Sequence, residues 1–457
     1  MITFSHADRL HRLIKEALDS GAAGTLEEAE ALFRRYRLVF EIGPEELSCP
    51  SHQITLLTAI TLARRVFLGG VTVRACADVP LAVPLPLPLT LHGAIEALGA
   101  RVTHESGTDN VAMIVIGGPP RLRQTPFEIR TVCVGWRGGI VPIEFEQTSG
   151  EQIMPLAAML AAALAINEAF LHVRGENAAA GHRTVGLSLW NLRAESDWLV
   201  APVGEPVLSL LPARLWLLGL GHLGQAFLWA LGLLPYPDPK ALELILQDTD
   251  IITPSTESTS MLTDASLIGE RKTRAMATWA ERRGFSTAIH ERRFGAGFRR
   301  QEEEPPIILC GLDNALGRRA LDEAGFDLVV EAGLGRGYQD FRTLRLHTLP
   351  ASRRAAQIWP HTTETAVAPE SRAYLKLLED GILDRCGITL LAGKAVGAPF
   401  VGAVAATLVV AEVLRLLHGG TLIQLVDLDL QWPEHRVVVP QQLDFSHFNP
   451  GYLRAAA

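Results

Sequence analysis

Residues 214–231 read RLWLLGLGHLGQAFLWAL, and LELILQD follows at 242–248. An apolar strand pattern enters a glycine-rich turn, Gly219-x-Gly221-x-x-Gly224, and continues into an apolar helix; a second buried strand then ends at Asp248. This opens a nucleotide-binding βαβ unit. The glycines permit a tight turn, the backbone amides at the helix start suit phosphate, and Asp248 suits a ribose hydroxyl. An NAD enzyme and an ATP enzyme would use these features equally well. Working outward, PPIILCGLDN (305–314), DLVVEAGLG (327–335) and FRTLRLHTL (341–349) read as strands, separated by helical patterns such as GERKTRAMATWAERRGF (269–285). An α/β domain with a mostly parallel sheet and flanking helices is expected.

The chain also reads as two related halves. PLAAMLAAALAINEAF (155–170) and PFVGAVAATLVVAEVL (399–414) align without a gap at an offset of 244, and the segments that follow, 181–198 and 419–436, both run from a glycine break through an apolar strand to a Trp-containing turn. The halves join near Ala201–Leu211. The first half offers a helix at 55–67 and strands at 71–75 and 110–118, but no GxGxxG: it keeps a fold without a phosphate loop. The segment VPLAVPLPLPLTL (79–91) lacks ladder donors at every proline and reads as a packed connector.

Composition narrows the functional classes. There are 42 Lys+Arg against 50 Asp+Glu, a formal net charge of −8, so no broad cationic field invites nucleic acid or anionic lipid. With 48% hydrophobic residues the chain is neither disordered nor fibrous. The five cysteines show no CxxC spacing, which argues for a reducing compartment and no structural zinc. None of the 14 histidines forms a short metal pair, and His222, inside the glycine turn, reads as a tolerated loop residue. The N-terminal stretch places charges and histidines where a secretory signal needs apolar residues, so a cytoplasmic location is expected. The apolar stretches 153–173 and 399–417 approach span length, but Asn167, Glu168 and Glu412 within them favour buried core helices over membrane spans.

The continuation DTDIITPSTESTSMLTDASLIGERK (248–272) breaks the tie between nucleotide chemistries, because it places Lys272 24 positions beyond Asp248, and hydride transfer has no need of that lysine. Here the sequence resembles the E1-like adenylating family, which includes ThiF, MoeB and the ubiquitin-activating enzymes. The family pattern is GxGxxG, DxDxVxxSNLxRQ, a GxxK lysine and a DN pair. This chain supplies Gly219, Gly221 and Gly224, Asp248 and Asp250, Ser255, Gly269 to Lys272, and Asp313-Asn314, in that order over about residues 212–430. The resemblance implies that Asp248 holds the ribose of ATP, Lys272 its phosphates and Asp313 the magnesium, with Asp250 and Asn314 also binding the nucleotide.

The family's SNLxRQ is here Ser255-Thr256-Glu257-Ser258-Thr259-Ser260, so its arginine is missing. Arg271 or Arg274 nearby, or an arginine from the other half, are the candidates to replace it. The cluster Phe33-Arg34-Arg35-Tyr36-Arg37 faintly resembles the family's RYxRQ helix, though a solvated basic face is the plainer reading. Cys386 precedes the second long apolar helix, in the region where thioester-forming members carry their cysteine; Arg385 and Lys394 are placed to lower its pKa. Cys310 reads as a small buried hydrophobe, and Cys49, Cys76 and Cys133, in the half without a phosphate loop, are set aside.

The expected protein is a pseudo-dimer in one chain: an inactive adenylation domain at 1–205 and an active one at 206–457, both Rossmann-like. The resemblance implies that it adenylates the C-terminal tail of a ubiquitin-like protein with ATP and Mg2+, captures the acyl group on Cys386 and passes it to an E2-like protein. The layout resembles the E1 proteins of bacterial (Bil-type) ubiquitin-like conjugation operons used in phage defence. A homodimer is left open. The alternatives are a sulfur-carrier adenylyltransferase, which needs no thioester, an NAD(P)-dependent oxidoreductase, and a catalytically dead scaffold.

Overall fold

A computed structural model describes residues 4–75, 77–104, 111–146, 154–359, 372–381 and 383–456. Its first half runs α1 (His6–Arg9), α2 (Ile14–Asp19), α3 (Leu26–Phe33), β1 (Leu38–Ile42), α4 (Pro50–Ala63), β2 (Val71–Arg74), α5 (Leu91–Ala97), β3 (Arg101–Thr103), β4 (Ala112–Ile116), β5 (Glu128–Val134), β6 (Arg137–Pro142), α6 (Pro155–Arg174) and β7 (Val185–Ser188). The second half begins with β8 (Leu210–Pro212), β9 (Arg214–Leu218), α7 (His222–Leu233), β10 (Glu243–Gln247), α8 (Pro254–Glu257), α9 (Lys272–Arg283), β11 (Ser286–His290), β12 (Ile307–Cys310) and α10 (Ala315–Arg319). It continues through β13 (Leu328–Leu334), β14 (Thr343–Leu349), α11 (Ala355–Ile358), α12 (Arg372–Glu379), α13 (Arg385–Ala392), α14 (Pro399–Leu417), β15 (Ile423–Asp429), β16 (Val437–Pro440) and β17 (Tyr452–Arg454).

The two sheets share one topology. The first has the order β3-β2-β1-β4-β5-β6-β7, and the second β11-β10-β9-β12-β13-β14-β15-β16. In each, the first five strands are parallel and the later ones antiparallel. The matching order makes α4 the counterpart of α7, and α6 the counterpart of α14. The long helices even share their polar device. Glu168 on α6 accepts the Gly181 N–H at 3.2 Å and pairs with Arg183, while Glu412 on α14 accepts the Ile423 N–H at 2.6 Å and pairs with Arg415. In both halves a buried carboxylate thereby ties the helix to the segment leading into the next strand, at the same 244-residue offset.

Alanine and glycine along α6 and α14 let these helices approach closely, and together with α4 and α7 they form the layer between the sheets. Both are long and apolar enough to cross a bilayer, and both lie inside the fold. Polar bonds cross this layer: Trp229 Nε1 donates to Thr58 Oγ1 at 3.0 Å, and Asn167 Nδ2 to the Leu430 carbonyl at 2.8 Å. The proline-rich segment 79–91 forms no strand beyond one bridge; Leu85 packs beside Gly232 on α7, and Arg282 bonds the Pro86 carbonyl, as expected of a connector.

One expected helical stretch is a turn. Phe33 ends α3, and Arg34 to Arg37 lead into β1, an interior strand of the first sheet, which the sequence pattern does not announce. β1 is five residues long and almost wholly buried, so it lacks the alternation that marks a half-exposed strand.

Candidate functional site

In a doubly wound sheet, ligands bind where the strand order reverses, outside the carboxyl ends of the strands. In the second half that point lies between β9 and β12. A cleft of about 1320 Å³ opens there.

The glycine turn needs its glycines. Gly219 has φ of 82°, and a Cβ on it would lie 3.0 Å from the Gly311 carbonyl oxygen; on Gly224 a Cβ would lie 2.0 Å from the Gly219 oxygen. Any side chain here would push the β9 and β12 loops apart. Gly221 is the N-cap of α7 and offers no side-chain acceptor, so the first-turn N–H groups have no capping side chain. Lys272 Nζ stands over the turn, 3.8 Å from where a Gly221 Cβ would be, and pairs with Asp250 at 2.8 Å and Asp248 at 3.8 Å.

Asp248 has a structural task besides any ligand. Its two oxygens accept the Leu220 N–H at 2.7 Å and the Asp250 N–H at 2.8 Å, which pins the glycine turn to the end of β10. Asp313 is exposed in the cleft after β12. Asn314 caps α10, its side-chain oxygen accepting the Gly317 N–H at 2.7 Å, so this residue fixes the turn that carries Asp313. Arg318 donates to the Leu312 carbonyl and pairs with Glu331 at 2.9 Å, bracing the same turn.

An arginine of the other half reaches the segment that stands where the family has its own. Arg12, between α1 and α2, lines the cleft, donates from Nη2 to Ser255 Oγ at 3.3 Å, and from its backbone N–H to Ser258 Oγ at 3.1 Å. Burial lowers the proton affinity of its guanidinium, and Asp8 and Asp313 oppose that shift. A second arginine of the first half, Arg65 on the turn after α4, is 3% exposed and donates to the carbonyls of Glu257, Ser260, Met261 and Thr263 at 2.7–3.1 Å. It holds the altered 255–263 segment in place. The other candidates are occupied elsewhere: Arg271 bonds the Thr249 carbonyl, Arg274 pairs with Glu291 at 3.0 Å, and exposed Arg34 pairs with Glu30. Arg34 to Arg37 do not line the cleft. Nothing in the local sequence singles out Arg12, because its role depends on a contact spanning 243 positions.

Cys386 is the second residue of α13; its side chain lies outside the described residues. Asp384 caps this helix, and Thr389, Leu390, Gly393 and Lys394 of the same segment line the cleft. Lys394 pairs with Asp8 of α1 at 3.6 Å. Cys310 is fully buried, and burial pushes its thiol up to about 12, in keeping with an inert core cysteine. Cys76 lies outside the described residues. Arg292, Arg293 and Arg336 also line the cleft, a cationic set the motifs did not identify.

His222 is no loop residue. It is the first residue of α7, and its ring fills a notch at Gly402 of α14, where a Cβ would lie 2.2 Å from Nε2. Burial pulls both His222 and His11 down to about 4 from the ordinary 6.5. The unfolded chain therefore binds more protons at these positions between pH 6.5 and 4, so their contribution to stability is whole above 6.5 and lost as pH falls to 4. The urea midpoint is expected to drop across that window. His222→Gln should flatten part of the drop; an unchanged slope would show that this histidine is already charged in the fold.

The residues fit a nucleotide: a glycine cradle that tolerates no Cβ, an uncapped helix N-terminus and two cations from different halves. Among the described residues no cluster of three His, Cys, Asp or Glu has metal-binding spacing. Asp313 would hold a magnesium ion together with phosphate oxygens and water, the usual manner for that ion.

The family model of the BilD C-terminal domain matches residues 211–420, and that of the BilD N-terminal domain residues 37–189. A protein of Collimonas sp. (strain OK412) described as bacterial E1-like protein BilD is 43% identical over 430 residues, covering 93% of this chain and 92% of its own. Among solved structures, E. coli MccB aligns with a TM-score of 0.33 at 14% identity, over 51% of this chain and 64% of its own, so the match spans less than two thirds of MccB. TcdA (CsdL) aligns with a TM-score of 0.28 at 12% identity, over 45% of this chain and 86% of its own.

Proposed function

Because the chain belongs to the BilD family of bacterial E1-like proteins, we propose that it activates the C-terminal carboxylate of a ubiquitin-like protein by ATP-dependent adenylation, then captures the acyl group as a thioester on Cys386. The observation that carries this reading is the cleft assembled from both halves, with the glycine turn, Lys272 and Asp313 from one and Arg12 from the other. Attack of a carboxylate on the α-phosphate brings negative charges together and expels pyrophosphate. Preorganised cations are what such a transition state requires. Lys272 over the glycine turn and Arg12 across the cleft meet that requirement, and a magnesium ion on Asp313 would offset charge on the leaving group. The cleft exceeds the ~300–1000 Å³ of ordinary small-molecule pockets, which leaves room for a slender peptide tail beside the nucleotide.

Cys386 is the second residue of α13, in the segment whose later residues line the cleft. Transfer from Cys386 to an E2-like protein, action in the cytoplasm and a role in phage defence complete the proposal. Hydride transfer gives Lys272 and Arg12 no task, which disfavours the oxidoreductase.

The test is ATP–pyrophosphate exchange with magnesium and the ubiquitin-like protein from the same operon, followed by a non-reducing gel. Cys386→Ala is expected to keep exchange and lose a thiol-labile adduct. Exchange with no adduct in the wild type would point instead to a sulfur-carrier adenylyltransferase. No exchange with a folded partner would leave a scaffold.

A further inference from the structure

β13 is a buried strand, and one of its residues is an acid. Glu331 is fully buried in an otherwise apolar run, between Val330 and Ala332. A carboxylate in such a place is costly unless it is paired. The sheet register supplies one partner, because Glu331 lies opposite His347 of β14, and its Oε2 meets His347 Nδ1 at 3.1 Å. The helix after β12 supplies the other: Arg318 Nε stands 2.9 Å from Glu331 Oε1. This guanidinium sits in a socket built from several sides. It donates to the Leu312 carbonyl from Nε at 2.9 Å and to the Ala332 carbonyl from Nη2 at 3.4 Å, and the Trp359 ring lies 5.9 Å from its central carbon. A Cβ on Gly333 would come within 2.8 Å of Nη1, so this glycine makes room for the arginine.

The socket fixes the turn that follows β12. The Gly311 N–H donates to the Leu218 carbonyl at 2.8 Å, Arg318 holds the Leu312 carbonyl, and the Asn314 side chain caps α10. Both neighbours of Asp313 are thereby pinned. Asp313 itself makes no hydrogen bond or ion pair among the described residues, and its carboxylate is exposed in the cleft. An acid left without a partner, on a turn held at both sides, is arranged for a cation from outside the chain.

We propose that Glu331 is a positioning residue for the metal end of the cleft: through Arg318 and the Leu312 carbonyl it holds the Asp313 carboxylate in place for the divalent cation of a nucleoside triphosphate. The inference rests on the reading of Asp313 as the magnesium residue and deepens it. Without the charge on Glu331, Arg318 loses the partner that orients it, and the turn must be ordered at the moment the metal binds. The loss falls on the metal and not on the nucleotide, because the glycine turn and Lys272 lie on other segments.

The experiment uses the full-length protein, the ATP analogue AMPCPP, which cannot be cleaved between its α- and β-phosphates, and paramagnetic Mn2+ in place of magnesium. AMPCPP binding is titrated by calorimetry in EDTA, and Mn2+ binding to the AMPCPP complex by electron paramagnetic resonance. Glu331→Gln is expected to weaken Mn2+ binding about 10- to 100-fold, the usual cost of removing a group that orients a metal ligand, and to leave AMPCPP binding in EDTA unchanged. A general loosening of the cleft would weaken both. In pyrophosphate exchange the variant should need correspondingly more magnesium and regain the wild-type rate once magnesium saturates. Asp313→Asn should remove the gain from Mn2+. Arg318→Lys keeps a charge beside Glu331 but loses the fork that also reaches the Leu312 carbonyl, so it should weaken Mn2+ binding in the same way; should Glu331→Gln fail to fold by circular dichroism, Arg318→Lys decides. Unchanged Mn2+ binding in the folded variant, or equal losses with and without metal, overturns the proposal, as does a wild type whose hold on AMPCPP gains nothing from Mn2+. A wild type that binds Mn2+ and AMPCPP, loses the metal on Glu331→Gln, yet exchanges no pyrophosphate would support this role for Glu331 and overturn the adenylation reading alone.

Discussion

Arg12→Ala is expected to lower ATP–pyrophosphate exchange by about 10²- to 10³-fold, the cost typical of removing one preorganised donor to transition-state charge. The effect should be on chemistry and not on folding. Among the described residues Arg12 makes one side-chain hydrogen bond, to Ser255, whereas the 255–263 segment is held chiefly by Arg65. The unfolding midpoint should therefore stay close to the wild type. Arg12→Lys should recover only part of the rate, because a lysine keeps the charge but loses the planar fork. Arg34→Ala is the control: exposed and paired with Glu30 outside the cleft, it should leave exchange unchanged. If Arg12→Ala exchanges at the wild-type rate, the first half contributes no charge to the reaction and another of the cleft arginines must serve.

The second large effect concerns stability. Glu412 and Arg415 are both fully buried on α14 and paired with each other. Glu412 also accepts the Ile423 N–H, and Arg415 Nη1 donates to the Leu189 carbonyl of the other half at 2.6 Å. Burial pulls the Arg415 guanidinium down to about 9. Glu412→Ala leaves that cation buried without its partner and an amide without its acceptor, and should cost roughly 3–5 kcal/mol, read as a lower urea midpoint. Changing Arg415→Leu in the same protein should restore a good part of the loss, since an apolar replacement of a buried pair is often near neutral. A loss under about 1 kcal/mol for Glu412→Ala alone would mean that water reaches the pair and solvates Arg415.

The sequence by itself determined the duplicated α/β fold and most of the residues that the candidate cleft brings together. The 244-residue offset of the long helices, the glycine turn and the ordered Asp248, Lys272 and Asp313 are local patterns, and local patterns express backbone requirements that hold wherever the segment lies: a positive φ at Gly219, a Cβ-free contact at Gly224. The interior strand β1 escaped because a short, almost wholly buried strand has no periodicity to betray it. Only the tertiary structure decided which arginine completes the cleft. Arg12 meets Ser255 across 243 positions, and nothing in its own neighbourhood marks it above Arg34 or Arg271. Motif order is written along the chain, whereas charge complementarity depends on distances through space. Those distances exist only once the two halves have folded against each other.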